Sequence, residues 1–234
     1  MRIAIGTSGF AYKEWKGNFY PARTKPEEML PFYASKLGTV EINNTFYALP
    51  KPNVMASWAA QVPAGFSFAV KANRRITHIG RLKNAIQPTE AMLRACAELG
   101  DKMGPLLFGL PPNLKKDVAR LREFVDGIPR GPRVAFEFRH DSWFDDEVYE
   151  VLRGRDAALC IAEADDDDGL TTPLVATAGW GYLRLRKADY DAAALRAWAG
   201  KIKAQRWSDA VVYFKHEDGG TGPRFAAELA ALVK

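Results

Sequence analysis

Cysteine and histidine are both scarce in this chain, with two of the first and three of the second in 234 residues. Cys96 and Cys160 stand singly within apolar segments and form no C-x-x-C, so neither a disulfide framework nor a cysteine zinc site is expected. His78, His140 and His216 belong to no paired-ligand motif such as H-E-x-x-H, and no metal or other cofactor is expected. Long apolar runs are missing too. No segment approaches the ~20 residues that span a bilayer, and MRIAIGTSGF enters a strand with no apolar leader or cleavage site. A cytoplasmic location and no membrane partner are the expectation. No G-x-G-x-x-G follows the first strand, which counts against a doubly wound dinucleotide fold. Neither sign of charge dominates: 33 Lys and Arg against 28 Asp and Glu leave a formal +5, which permits an anionic partner without requiring one. No composition break, linker or internal repeat divides the chain, so one domain over residues 1–234 is expected.

What the chain does have is alternation. Strand patterns recur at residues 2–7, 39–43, 66–71, 106–110, 133–139, 158–163, 182–186 and 211–215, and most gaps between them hold a helical pattern. Leu114, Val118, Leu121 and Val125 recur at helical spacing, as do Leu195, Trp198, Ala199 and Ile202, and Phe225, Leu229 and Leu232. Asp145 and Asp191 are placed to cap helices, and Pro88 to begin one. Eight strands alternating with helices predict a TIM-like (β/α)₈ barrel, irregular between strands 6 and 7, where DDDDGLTTPLVATAGWG carries no helical pattern. The acidic run at residues 165–168 reads as a solvated loop before it reads as a cation site.

Such a barrel gathers its functional groups at the C-terminal ends of the strands. The central stretch is RVAFEFRHDSWF, in which Val134, Phe136 and Phe138 share one face while Glu137 and Arg139 share the other. If the apolar members face the helices, the lumen receives Glu41, Lys71, Glu137, Arg139, Arg184, Arg186 and Lys215. Five cations against two carboxylates predict either water access or a bound anion, because unpaired buried charge is costly. The competing reading is a set of structural ion pairs with the remaining cations reaching solvent. Glu41 and Glu137 could form an acid/base pair of the kind glycosidic cleavage uses. Lys71, crowded by cations, could act as a base or form an imine, and His140 could shuttle protons. Around them, Ser8, Asn43, Thr45 and His78 are candidate polar contacts, with Tyr12, Trp15, Tyr47 and Trp143 as walls or stacking surfaces.

These motifs resemble those of the YecE-like family, the domain of unknown function seventy-two. The resemblance rests on GTSGF-x-Y-x-x-W-x-G-x-FYP at residues 6–21, TVEINNTFY at 39–47 and FAVKAN-x-x-ITH at 68–78. GPLLFGLPP at 104–112, EFRH-x-SW at 137–143, YLRL and VVYFKHED extend it over nearly the whole chain. It implies a TIM-like barrel of unassigned activity, with a fold-level analogy to sugar isomerase and apurinic endonuclease barrels. Two positions depart from the family pattern. Gly109 replaces a glutamine common in the family, and Arg186-Lys187 follow Arg184-Leu185 where many members read R-L-H-G.

Two functional classes follow, and a non-catalytic sensor or scaffold is a third. In the first, the chain is an enzyme or binding protein for an anionic small molecule, such as a phosphorylated sugar or a nucleotide-like ligand. Its chemistry would be metal-independent hydrolysis, lysis or isomerisation, with Glu41, Lys71, Glu137, Arg139 and His140 reactive and Arg184, Arg186 and Lys215 holding the anion. In the second, a basic, aromatic-rimmed face grips nucleic acid without chemistry. Oligomeric state is left open by the sequence.

Overall fold

A residue pattern with one apolar and one mixed face needs a helix layer outside and a filled space inside, and a closed parallel barrel supplies both. A computed structural model of the chain describes residues 1–165 and 170–234. Strands β1 (Arg2–Ser8), β2 (Thr39–Ile42), β3 (Ser67–Lys71), β4 (Met103–Gly109), β5 (Val134–Glu137), β6 (Ala158–Ala164), β7 (Trp180–Arg186) and β8 (Asp209–Phe214) pair in parallel and in sequence order. The ring closes by pairing of β8 with β1, from Arg2 with Asp209 to Thr7 with Phe214.

Helices α1 (Pro26–Ala34), α2 (Pro52–Ala60), α3 (Ile86–Cys96), α4 (Val118–Gly127), α5 (Asp146–Arg153) and α6 (Ala192–Lys203) occupy six of the strand connections, and α7 (Thr221–Val233) follows β8. No helix occurs among the described residues between β6 and β7. That segment is held instead by Thr177, whose hydroxyl accepts from Leu159 N–H and donates to Ala157 C=O. Of the acidic run, residues 166–168 lie outside the described residues. The helix starts behave as their sequence predicts: Asp145 and Asp191 accept from the backbone N–H groups of Glu147 and Ala194. α3 begins two residues before Pro88, still within the first turn where a missing N–H is tolerated.

The apolar strand faces and the helices enclose the main core, which includes Cys96 and the stacked rings of Phe108, Phe136 and Phe138. Inside the barrel, Ala69, Leu107, Ala135, Cys160, Trp180, Tyr182 and Tyr213 form a separate apolar plug toward the N-terminal end. Tyr213 Oη and Thr39 Oγ1 meet across it at 2.8 Å. β1 and β2 approach so closely that a Cβ on Gly6 would lie 1.9 Å from Thr39 O, so only glycine fits there. The plug fills the lower lumen and leaves the upper layer to charged residues.

Two strand ends differ from the sequence expectation. β5 stops pairing at Glu137, which puts Arg139 in the exit loop. β8 stops at Phe214, and Lys215 is exposed beyond it. No helix among the described residues is long and apolar enough to cross a membrane.

Candidate functional site

Period-two geometry sends Glu41, Lys71, Glu137, Arg184 and Arg186 into the upper lumen, above the apolar plug. Arg184 sits at the centre. Its Nη1 donates to Glu137 Oε2 at 2.7 Å and its Nη2 to Glu41 Oε1 at 2.9 Å, so one guanidinium spans both carboxylates. All three side chains are essentially inaccessible to solvent. Arg186 Nη2 lies 3.2 Å from Glu137 Oε1, and Arg139 adds its positive field to Glu137 from the exit loop.

Glu41 is saturated. Besides Arg184, it accepts from Ser8 Oγ at 2.7 Å, Asn43 Nδ2 at 3.2 Å and Tyr182 Oη at 2.7 Å. Burial alone would raise its pKa, but Arg184, the Tyr182 and Ser8 hydrogen bonds and Lys71 outweigh that and hold it below the usual carboxylate range. Glu137 is likewise opposed by burial, and Arg184, Arg186, Lys71 and Arg139 bring it down to about 2. Both groups are therefore ionised at neutral pH. The cations that hold both carboxylates ionised count against the acid/base pairing expected from sequence. Glu137 differs from Glu41 in one respect: its Oε1 has no hydrogen-bond partner among the described residues.

Lys71 enters the same layer from β3. Its Nζ stands 4.7 Å from the Phe46 ring centroid, and among the described residues no carboxylate oxygen lies within ion-pairing distance. Burial and Arg184 lower its pKa, with Arg139 adding to that and Glu137 and Glu41 opposing it. His78, on a π-helical turn (Arg75–Ile79) after β3, packs its ring edge on Phe46, while its Nδ1 lies 2.9 Å from Thr77 Oγ1. Burial, Lys71 and Arg139 lower its pKa, so its ring is neutral at pH 7.

A cavity of about 350 Å³ opens onto this layer, lined by Glu137, Arg139 and Arg186, with Asp165 and Thr172 among its other walls. The Asp165 carboxylate accepts from Ala188 N–H. Residues 4–234 match the family described as "Protein of unknown function DUF72". The chain belongs to the DUF72 family. It is 30% identical over 157 residues to UPF0759 protein YunF of Bacillus subtilis, covering 63% of this chain and 54% of that protein. It is 30% identical over 113 residues to UPF0759 protein YecE of Escherichia coli K12, covering 48% and 42% respectively. The chain thus spans about half the length of the curated relatives it matches. A DUF72 protein from Thermotoga maritima shares the fold, with a TM-score of 0.87 at 23% identity over 100% of this chain and 99% of that one.

Within this DUF72 barrel, several residues expected at the site stand elsewhere. Trp15 is fully buried against Tyr12, Phe19 and Tyr20, so it supports the loop and walls no ligand. Trp143 is buried too, stacked on Phe138 at 4.8 Å and donating Nε1–H to Leu114 C=O. Thr45 is buried, and its hydroxyl is held by Lys71 O at 2.6 Å. His140 caps the short turn Asp141–Trp143 by accepting from Ser142 N–H, outside the charge cluster. Lys215 is exposed and separate from it. Tyr12 is half-buried and donates to Ser8 C=O, whereas Tyr47 is 72% exposed.

Two contributors, Tyr182 and Phe46, were not expected at the site, and Gly109, noted as a departure from the family pattern, has a role there. Tyr182 anchors Glu41, and its position two residues before Arg184 on the same face was the available signal. Phe46 supplies the surface under Lys71 and His78. Gly109 makes room: a Cβ there would sit 3.2 Å from Glu137 Oε2 and 3.7 Å from Lys71 Cε.

Proposed function

We propose that the upper lumen binds a small, hydroxyl-bearing anion such as a phosphorylated sugar or a hydroxy acid. The observation that carries this reading is the charge balance of the buried layer. Three cationic side chains, Lys71, Arg184 and Arg186, surround two carboxylates, and Arg184 alone bridges both. Positive charge in excess of its protein partners in a poorly solvated place favours an anionic ligand. Arg139 and Arg186 line the cavity and suit a phosphate or carboxylate group, which guanidinium forks bind well. Glu137 Oε1, paired with Arg186 at 3.2 Å but without a hydrogen bond among the described residues, keeps acceptor capacity for a ligand hydroxyl. Arg184 is reassigned from gripping the ligand to bracing Glu41 and Glu137.

The nucleic acid alternative depended on an aromatic rim, and two of its four rings, Trp15 and Trp143, lie in the core. Titration calorimetry against phosphorylated sugars, hydroxy acids, nucleotides and short DNA tests the choice. A small anion should bind with a shallow salt dependence, and Arg139→Met and Arg186→Met should each weaken it by about tenfold or more, the worth of one charge-assisted hydrogen bond. Binding only to DNA, with affinity collapsing as salt rises, would replace this reading with the nucleic acid one.

A further inference from the structure

We infer that Lys71 is a covalent nucleophile that forms an imine with the carbonyl group of an anionic aldehyde, ketose or 2-oxo acid bound in the upper lumen. This rests on the anion-site reading above and names the reactive group within it. Lysine in a barrel lumen is ordinarily tied to a carboxylate. Here both neighbouring carboxylates are turned to Arg184, with Arg186 on the remaining oxygen of Glu137, while Lys71 Nζ faces the Phe46 ring. Its stem passes beside Gly109, where a Cβ would touch Lys71 Cε at 3.7 Å and crowd Glu137 Oε2 at 3.2 Å. The amine is thus half-buried at the C-terminal end of β3 with its lone ring contact on one side and the charged layer on the other.

The surroundings keep that amine reactive. The groups facing it are Glu41 from β2, Glu137 and Arg139 from β5 and its exit loop, and Arg184 from β7. Burial and the two guanidinium groups favour the neutral form, which is the nucleophile. In the reaction, the nitrogen lone pair attacks the carbonyl carbon and the C=O π pair moves to oxygen, which takes up a proton. The resulting carbinolamine loses its hydroxyl as water, the nitrogen loses a proton, and a C=N bond remains. One amine and one carbonyl give one imine and one water, with no oxidant or reductant. His78, neutral and packed on the same Phe46 ring, is the nearest imidazole available to move protons. The guanidinium groups face the oxygen on which charge develops.

The test uses two pairs of probes, glyceraldehyde 3-phosphate with glycerol 3-phosphate and pyruvate with lactate, in the presence of cyanoborohydride at pH 7. Peptide mass spectrometry should show Lys71 gaining the mass of the carbonyl probe less one oxygen atom. Labelling at Lys71 should run about tenfold or more faster than at exposed lysines such as Lys215, because only the neutral amine attacks. The corresponding alcohol probe should block it. Lys71→Met should lose that label while still showing a raised unfolding midpoint with the alcohol probe. If the alcohol probes raise the wild-type midpoint but Lys71 is unlabelled, or is labelled no faster than Lys215, the imine is overturned and the anion site stands. If none of the four raises the midpoint, both fail. The wild-type map decides the matter even if Lys71→Met does not fold.

Discussion

Replacing Arg184 by methionine leaves two buried carboxylates without their shared cation. Removing one partner from a buried ion pair costs on the order of 3–5 kcal/mol, because the remaining charge is neither solvated nor matched. Arg184→Met should therefore lower the unfolding free energy by about that much near pH 7, measured by urea denaturation. The pH dependence has a definite sign. Glu41 and Glu137 have lowered folded-state pKa values, so their contribution is present above the ordinary carboxylate value of 4.5 and disappears as pH falls toward about 2 for Glu137. The gap between wild type and Arg184→Met should narrow on acidification; a gap that widens would mean the carboxylates are not paired as described. Trp143→Ala should cost about 3–5 kcal/mol through lost packing, with anion binding by the folded fraction retained. Residue identity was legible in sequence where a polar side chain interrupts an apolar alternation, as at Glu41 and Glu137. It was not legible for Trp15 and Trp143, since a large ring near a strand end reads equally as a pocket wall or as core. Only the partners, Tyr20 beneath one and Leu114 C=O against the other, separate the two.

The strands and helices carry their own lesson at the scale of the element. The caps at Asp145 and Asp191 were readable because a short acceptor preceding a helical pattern has one productive use. Asp191→Ala should cost about 1 kcal/mol in chemical denaturation, with no change in ligand affinity. Strand termini were less readable. Alternation continues through Arg139 and Lys215, but the strands end at Glu137 and Phe214, with one further backbone bond from Lys215 N–H to Leu185 C=O. One residue of overrun placed Lys215 in the expected lumen, whereas it is exposed in the fold. The β6–β7 connection has no helical pattern, and none forms among its described residues. Thr177, which staples this connection to β6, could not be picked out from the other threonines by sequence.

At the scale of the whole molecule, closure of the barrel converts eight separate alternations into one two-layer lumen. Eight strand patterns with intervening helical ones are enough to predict that closure, and the phase of each pattern is enough to say which residues point inward. The pairing within the lumen is different. It depends on the stagger between strands, which sets Arg184 across from Glu41 and Glu137 at once and leaves Lys71 without a carboxylate. That stagger has no signature in any single strand. The most direct measurement of the central claim is the unfolding midpoint of wild type and Arg186→Met at constant ionic strength, with glycerol 3-phosphate replacing chloride. A ligand that binds only the folded state stabilises it by RT ln(1 + [L]/Kd), so the midpoint rises with the logarithm of concentration above Kd. The expected result is a rise in wild type that continues with the logarithm of concentration, and little or none in Arg186→Met. An equal rise in both, or a flat response in wild type across phosphorylated sugars and hydroxy acids, would contradict it.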